Sequence, residues 1–179
     1  MPSKKTAPFI LTERITIDDR NANYTGSIDL GAYVDVADRQ GIAITAVDYI
    51  VQGTAADTEI QDVLTADATV FAQLSDLNRG GTLQFADDRA LVSSMAMTVD
   101  QGNNQMHMAT DIYPDVYGAA DGVRLVVNDQ LYLTARTSSG GGFASGEDLN
   151  VTVRIHAYVA KLTAKDYMAI AIQSTAADN

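Results

Sequence analysis

The last strand-like segment of the chain constrains the fold most, because apolar and polar side chains alternate at every one of its positions. Successive side chains of a β-strand point to opposite faces, so this segment has one apolar and one polar face. The apolar face comprises Leu149, Val151, Val153, Ile155, Ala157 and Val159, and the polar face comprises Asn150, Thr152, Arg154, His156 and Tyr158. We therefore expect a strand that buries one face and presents the other to neighbouring groups.

The same period-two alternation recurs along the chain between turn-forming sequences. It predicts strands beginning at Glu13 and over residues 25–36, 42–51, 68–74, 82–85, 90–99, 106–112, 123–135 and 148–160. The turn at residues 38–41 predicts that the strands before and after it form a hairpin. About eight strands with regular turns indicate an all-β, eight-stranded antiparallel jelly-roll sandwich. An immunoglobulin-like sandwich is the alternative, weakened by the absence of Trp and Cys.

Two segments have helical rather than strand-like patterns. Within residues 54–66, apolar residues fall at helical spacing, and Thr54 followed by Asp57 resembles a helix start, so we expect a short helix or a structured loop. Near the end, Thr163 is placed to cap a short terminal helix, with Asp166 three residues later. Leu162 and Tyr167 flank that cap at the spacing of a hydrophobic staple.

Length and composition favour one domain without covalent cross-links. A chain of 179 residues with 46% apolar residues can bury a substantial core, so we expect an arm at residues 1–11 and a single jelly-roll domain at 12–179. There are no cysteines, no apolar run of 18 residues, and too few apolar residues at the N-terminus for a signal-peptide core. A net charge of −11 disfavours direct nucleic-acid binding by the domain.

The residue types that usually carry chemistry are dispersed. His107 and His156 lie on separate predicted strands without further metal ligands, and Ser138, Ser139 and Ser145 have no neighbouring base. The glycines at 140–142 lack the residues that complete a phosphate loop. We therefore expect no catalytic residue, no cofactor and no transition-metal site.

Two weaker motifs remain as hypotheses. Asp19, Asn21 and Asn23 match the first ligand positions of a calcium loop, but Tyr24 and Leu30 break the rest of the match, which favours an Asx-rich turn. Asn23 and Asn150 each begin a glycosylation sequon.

Residues 26–44 (GSIDLGAYVDVADRQGIAI) and 151–172 resemble the small major capsid proteins of tailless icosahedral archaeal viruses with an internal membrane, and of related bacterial viruses. The resemblance lies in size, strand order, acidity, a short basic arm, and a closing strand followed by a short helix. It implies a single upright jelly roll, a virion protein that is not an enzyme, self-assembly into an icosahedral shell, and a homo-oligomer with a possible second, larger capsid protein. We expect the arm to bridge neighbours or contact the internal membrane through Lys4 and Lys5, with Arg14 further along the chain.

Other classes of function stay open at this point. A β-sandwich subunit of an extracellular filament or of a phage-tail tube would share these features, whereas a carbohydrate-binding module would normally expose Trp or clustered Tyr. Our hypothesis of self-association relies on Arg154, His156 and Tyr158, because Arg and Tyr are enriched at protein interfaces. Further tyrosines suited to such contacts are Tyr113, Tyr117, Tyr132 and Tyr167.

Overall fold

Ten strands and two helices make up the part of the chain that the computed structural model describes, which is residues 3–112, 123–139 and 141–176. The strands are β1 (Ser3–Lys4), β2 (Phe9–Ile17), β3 (Asn23–Asp29), β4 (Gln40–Gln52), β5 (Ala68–Ser75), β6 (Leu91–Asp100), β7 (Gln105–Ile112), β8 (Arg124–Val126), β9 (Gln130–Ser139) and β10 (Leu149–Lys161). The helices are α1 (Ile60–Val63) and α2 (Ala164–Ala176).

The strands form two five-stranded antiparallel sheets. In the first sheet, β10 pairs with β4 on one edge and with β2 and then β1 on the other, and β4 pairs with β8. In the second sheet the order is β3-β9-β5-β6-β7. If β1 and β7 are set aside, the first sheet has the order β2-β10-β4-β8 and the second has the order β3-β9-β5-β6. Renumbered 1 to 8 along the chain, these eight strands have the orders 1-8-3-6 and 2-7-4-5. This is the strand order of a jelly roll, which confirms the predicted fold class.

One apolar core fills the space between the sheets. Alternate side chains of both sheets point inward, as the pleat requires, and β10 contributes Leu149, Val151, Val153, Ile155 and Ala157 of its predicted apolar face. The largest fully buried core side chains include Ile17, Leu30, Ile42, Ile44, Leu64, Leu74, Met95, Met97, Leu131, Leu133 and Leu149. With no cysteine in the chain, this packing and the strand pairing stabilise the sandwich.

A β-bulge in β4 reverses which residues face the core. The pairing with β10 shifts between His156 and Ala157, and the extra residue, Thr45, donates a hydrogen bond from its hydroxyl to the His156 carbonyl (3.0 Å). Before the bulge Ile42 and Ile44 point inward, and after it Val47 and Tyr49 do. In the sequence, β4 has an apolar run without clean alternation, because a bulge shifts the alternation of inward and outward side chains by one residue.

The predicted hairpin between residues 25–36 and 42–51 is wrong. The strand β3 ends at Asp29, and β3 and β4 belong to different sheets, where they pair with β9 and β10. Residues 30–39 form a connection closed by a bridge between Asp35 and Gln40. The alternation continues beyond Asp29 in the sequence, but pairing partners come from distant parts of the chain, which local pattern does not specify.

Two further strand predictions also need correction. Residues 82–85 are not a strand; this segment belongs to the long connection between β5 and β6, where the Gln73 side chain accepts a hydrogen bond from the Gln84 backbone amide (2.7 Å). Residues 123–135 were predicted as one strand, but a turn at 127–129 divides them into β8 and β9, which lie in different sheets.

Both helices lie where the sequence predicted helical segments. For α1, however, the start differs: Glu59 is the N-cap residue, whereas the Thr54 hydroxyl binds the Glu147 carboxylate (2.5 Å) and the Asp148 backbone. For α2, the Asp166 amide donates to the Thr163 hydroxyl (3.2 Å), as predicted for its cap. Neither described helix is long and apolar enough to cross a membrane.

A second, smaller core joins α2 to the outer side of the first sheet. Leu162 and Tyr167 are both buried there, as the predicted staple requires, against Ala43, Leu125, Val127 and Ala160. Met168 and Ile172 lie on the opposite side of the helix and are more than half exposed. The terminal helix therefore packs on its own domain through one side only.

A buried ion pair fixes the long connection between β5 and β6. The Arg124 guanidinium of β8 binds the Asp76 carboxylate (3.0 Å) and the Arg89 carbonyl (2.7 Å). Both side chains are about 5% exposed or less. Burial raises the pKa of Asp76, while the charge of Arg124 opposes that rise.

The N-terminal residues follow the edge of β10. Ser3 and Lys4 pair with its last two residues, and the Lys5 amide donates to the Val159 carbonyl (2.8 Å). Phe9 begins β2 inside the range predicted as the arm, and its ring stacks on Tyr33 with 4.8 Å between centroids. The division of the chain into arm and domain remains a prediction.

Candidate interaction surface

The outward side chains of β2, β10 and β4 form one continuous surface, which we call the basic face. It lies opposite the core, because its members alternate with residues that are buried or partly buried against the core side. The strand register brings these residues into cross-strand rows: Thr16, Asn150 and Gln52; Arg14, Thr152 and Ile50; Thr12, Arg154 and Asp48; Ile10, His156 and Ala46. Tyr158, which is half-buried, extends it toward α2.

Cations outnumber carboxylates on the basic face. Arg14 and Arg154 are exposed, and Lys4 of β1 lies over the Tyr158 ring at 5.1 Å from its centroid. Asp48 is the one carboxylate on the face, and it hydrogen-bonds His156 Nε2 at 2.9 Å. Within the described chain, neither Arg14 nor Arg154 makes an ion pair. The face therefore keeps two exposed guanidinium groups on an acidic protein.

The basic face includes residues that the sequence alone did not assign to it. Arg154, His156 and Tyr158 were predicted to share a face because they lie on one strand. Ile10, which is 46% exposed, and Arg14 join them only through the register of β2 against β10. Strand register depends on long-range pairing, so the alternation of β2 was the only available signal.

The other tyrosines predicted as contact candidates are dispersed. Tyr132 is half-buried on the second sheet, where its hydroxyl binds Gln130 Oε1 (2.7 Å). Tyr167 of α2 is buried in the second core, so the prediction that it offers a surface contact is wrong. Burial, together with the nearby Asp35 carboxylate, raises its pKa. Tyr113 and Tyr117 lie outside the described residues.

The two histidines lie on different sheets. His107 is exposed on β7, and His156 lies on β10. Among the described residues, no group of three or more His, Asp or Glu is arranged to hold a metal ion. The described histidines thus offer isolated polar contacts.

The turn with the partial calcium motif makes ordinary protein contacts. Asn21 has a positive φ of 59°, and its amide donates to the Thr137 carbonyl (2.7 Å). Arg20 Nη1 donates to the Gly141 carbonyl (2.6 Å), and the Tyr24 hydroxyl hydrogen-bonds the Asp18 carboxylate. Burial and this hydrogen bond raise the pKa of Tyr24. Calcium binding by Asp19, Asn21 and Asn23 stays an untested hypothesis.

The two sequons differ in setting. Asn23 is exposed at the start of β3. Asn150 is half-buried in β10, where its side-chain amide donates to the Gly53 carbonyl (2.9 Å) and its Oδ1 accepts from the Thr16 hydroxyl (2.9 Å). The Asn150 side chain is thus already engaged, which makes Asn23 the more accessible of the two.

No protein-family model and no curated protein matches the sequence. Solved structures with similar chains include VP1 of Trichodysplasia spinulosa-associated polyomavirus in complex with GM1 oligosaccharide, at 8% identity, a TM-score of 0.39, and coverage of 89% of this chain and 97% of that chain. A chain of Desmodium yellow mottle tymovirus matches at 8% identity and a TM-score of 0.39, covering 92% of this chain and 95% of that chain. Merkel cell polyomavirus VP1, in complex with 3'-sialyllactosamine, matches at 9% identity and a TM-score of 0.38, with coverage of 90% and 98%. At these TM-scores the likeness carries no functional conclusion, so the fold assignment rests on the strand order.

Proposed function

We propose that this protein is a structural virion protein, a major capsid protein that self-associates into an icosahedral shell and is not an enzyme. The observation that carries the proposal is a complete jelly roll whose outer sheet face displays Arg, Tyr, His and an exposed Ile. In a monomer that face would meet water, where short polar side chains would serve equally well. Arg and Tyr bury apolar area while keeping directed hydrogen-bonding groups, which suits them to protein contacts.

Many modest contacts are sufficient for such an assembly. Each subunit of a closed shell touches several neighbours, so the stability of the particle grows with the number of contacts rather than with the strength of any single one. In this proposal the arm at residues 1–11 bridges neighbours or faces an internal membrane, and a second, larger capsid protein is a further partner. The arm has only two lysines, worth roughly 1 kcal/mol each near an anionic membrane.

A filament or phage-tail tube subunit is the second candidate, and the edge of the second sheet favours it. The strand β7 is the last in its sheet, with one edge unpaired among the described strands. Met106 and Met108 are exposed there at 59% and 43%. Unpaired edges can extend a sheet from one molecule to the next, which produces linear rather than closed assemblies.

Sedimentation velocity of the purified chain over a range of protein and salt concentrations tests the proposal. We expect a cooperative transition from monomer to particles of one defined size. A continuous series of species that lengthens with concentration would instead support the filament. A monomer at every concentration and salt would contradict both.

A further inference from the structure

One end of the sandwich is strongly acidic, and we call it the acidic end. The antiparallel order places four connections there: residues 18–22, 53–67, 101–104 and 141–148. Their proximity is direct, because the Thr65 amide donates to the Gly142 carbonyl (3.1 Å) and the Gln101 amide donates to the Asp67 carboxylate (2.9 Å). The acids at or beside these connections are Asp18, Asp19, Asp57, Glu59, Asp62, Asp67, Asp100, Glu147 and Asp148.

Charge is therefore distributed unevenly over the molecule. Within these four connections, as far as the structure describes them, Arg20 is the only Lys or Arg beside the acids. The basic face, in contrast, has Lys4, Arg14 and Arg154 against the single carboxylate of Asp48. Two acidic ends repel each other, whereas an acidic end and a basic face attract.

We infer that the acidic end of one copy docks on the basic face of a second copy. This contact rests on the proposed self-association and names the two surfaces that make it. It joins different patches, so each copy can receive one neighbour and offer its acidic end to another, as multi-subunit rings and shells require. Ile10, Ile50 and Tyr158 supply apolar area beside the guanidinium groups.

Two charge-reversal variants test the contact. The first, Arg14→Glu with Arg154→Glu, makes the basic face acidic. The second, Asp57→Lys with Asp62→Lys, reverses two exposed acids whose side chains accept no hydrogen bond within the described chain. We expect each variant alone to weaken assembly at low salt by about tenfold or more in protein concentration. Because all four side chains are exposed, the melting temperatures of the variants should stay within a few degrees of that of the unmodified chain, the largest shift coming from the like charge that Arg154→Glu places opposite Asp48.

Complementation makes the test specific. In an equimolar mixture, the unmodified basic face of the second variant can bind the unmodified acidic end of the first, and the glutamates introduced in the first can meet the lysines introduced in the second, so assembly should return at least in part. If the basic faces of two copies met each other instead, the Asp57→Lys/Asp62→Lys variant would assemble normally, and that result would overturn the inference.

A matched control separates the effect of losing the contact from the effect of changing the net charge of the chain. Arg39→Glu with Lys165→Glu changes the charge by the same amount at exposed positions outside the strands that form the basic face, so assembly should persist. Equal loss in this control, or undiminished assembly by both test variants, would refute the inference while leaving the proposed function intact. Failure of the unmodified chain to assemble would refute both.

An anionic membrane is the competing occupant of the basic face. Vesicles of phosphatidylglycerol and phosphatidylcholine test it by co-flotation. We expect binding to be no weaker for Arg14→Glu/Arg154→Glu than for the control variant. Vesicle binding lost only in that variant, with assembly unchanged, would assign the face to a membrane and overturn the inference.

Discussion

At the scale of single residues, the ion pairs differ in how much each contributes to the free energy of unfolding. The Arg124–Asp76 pair is almost fully buried, whereas Lys5 and Asp38 form a pair at 3.9 Å with side chains 36% and 58% exposed. An exposed pair gains little because water screens it. A buried pair that loses one partner leaves the other charge in a poorly polarisable interior.

We expect Arg124→Leu to lower the free energy of unfolding by about 3–5 kcal/mol at neutral pH, because Asp76 is left buried without its cation. The matched control Lys5→Met should cost no more than about 1 kcal/mol. Urea denaturation of both variants measures the difference. Similar small losses in the two variants would show that the buried pair does not hold the connection between β5 and β6.

The same variant has a pH dependence of definite sign. Burial raises the pKa of Asp76, so the folded state holds its proton more tightly than the unfolded state does. This tighter proton binding stabilises the folded state at acid pH, and the stabilisation is lost as the pH rises through the pKa that Asp76 has in the folded state. Removing Arg124 raises the pKa further, so the loss caused by Arg124→Leu should be smaller near pH 4 than at pH 7. A loss that grows toward acid pH would contradict this assignment.

At the scale of elements, local chemistry made some structures predictable and others not. β10 was predictable because it lies mid-sheet with one face in the core, which imposes strict alternation on the sequence. The cap and staple of α2 were predictable because Leu162, Thr163, Asp166 and Tyr167 act within one turn. The partners of β3 and β4 were not, because pairing joins residues 80 to 121 positions apart.

The helix α2 gives a test at this scale. Tyr167 is 8% exposed in the second core, whereas its neighbour Met168 is 59% exposed. We expect Tyr167→Ala to lower the free energy of unfolding by about 3 kcal/mol through the cavity that it leaves. Met168→Ala should change it by less than about 0.5 kcal/mol. Thermal unfolding of the two variants checks this, and equal effects would mean that α2 does not pack as described.

At the scale of the whole molecule, the candidate surface depends on the assembled sandwich rather than on any motif. The sequence indicated the polar face of β10, but the face acquires Arg14 and Ile10 only when β2 pairs with β10. Likewise, the acidic end collects residues from four connections that are far apart in the chain. These features follow from strand order and register, which no single segment encodes.

The arm can be tested by removing residues 1–8, which leaves all of β2 in place. We expect the shortened chain to keep its melting temperature within a few degrees, because the described residues removed are exposed. Particle formation should be impaired in sedimentation if the arm bridges neighbours. Unfolding of the shortened chain would show that β1 is part of the domain, and undiminished assembly would contradict the bridging role.

Electron microscopy of the purified, unmodified chain under assembling conditions tests the central claim most directly. The account predicts closed shells of uniform diameter, with jelly-roll subunits resolved in an averaged reconstruction. Filaments would replace this account with the second candidate. Isolated subunits alone, at every protein and salt concentration tried, would contradict self-association altogether.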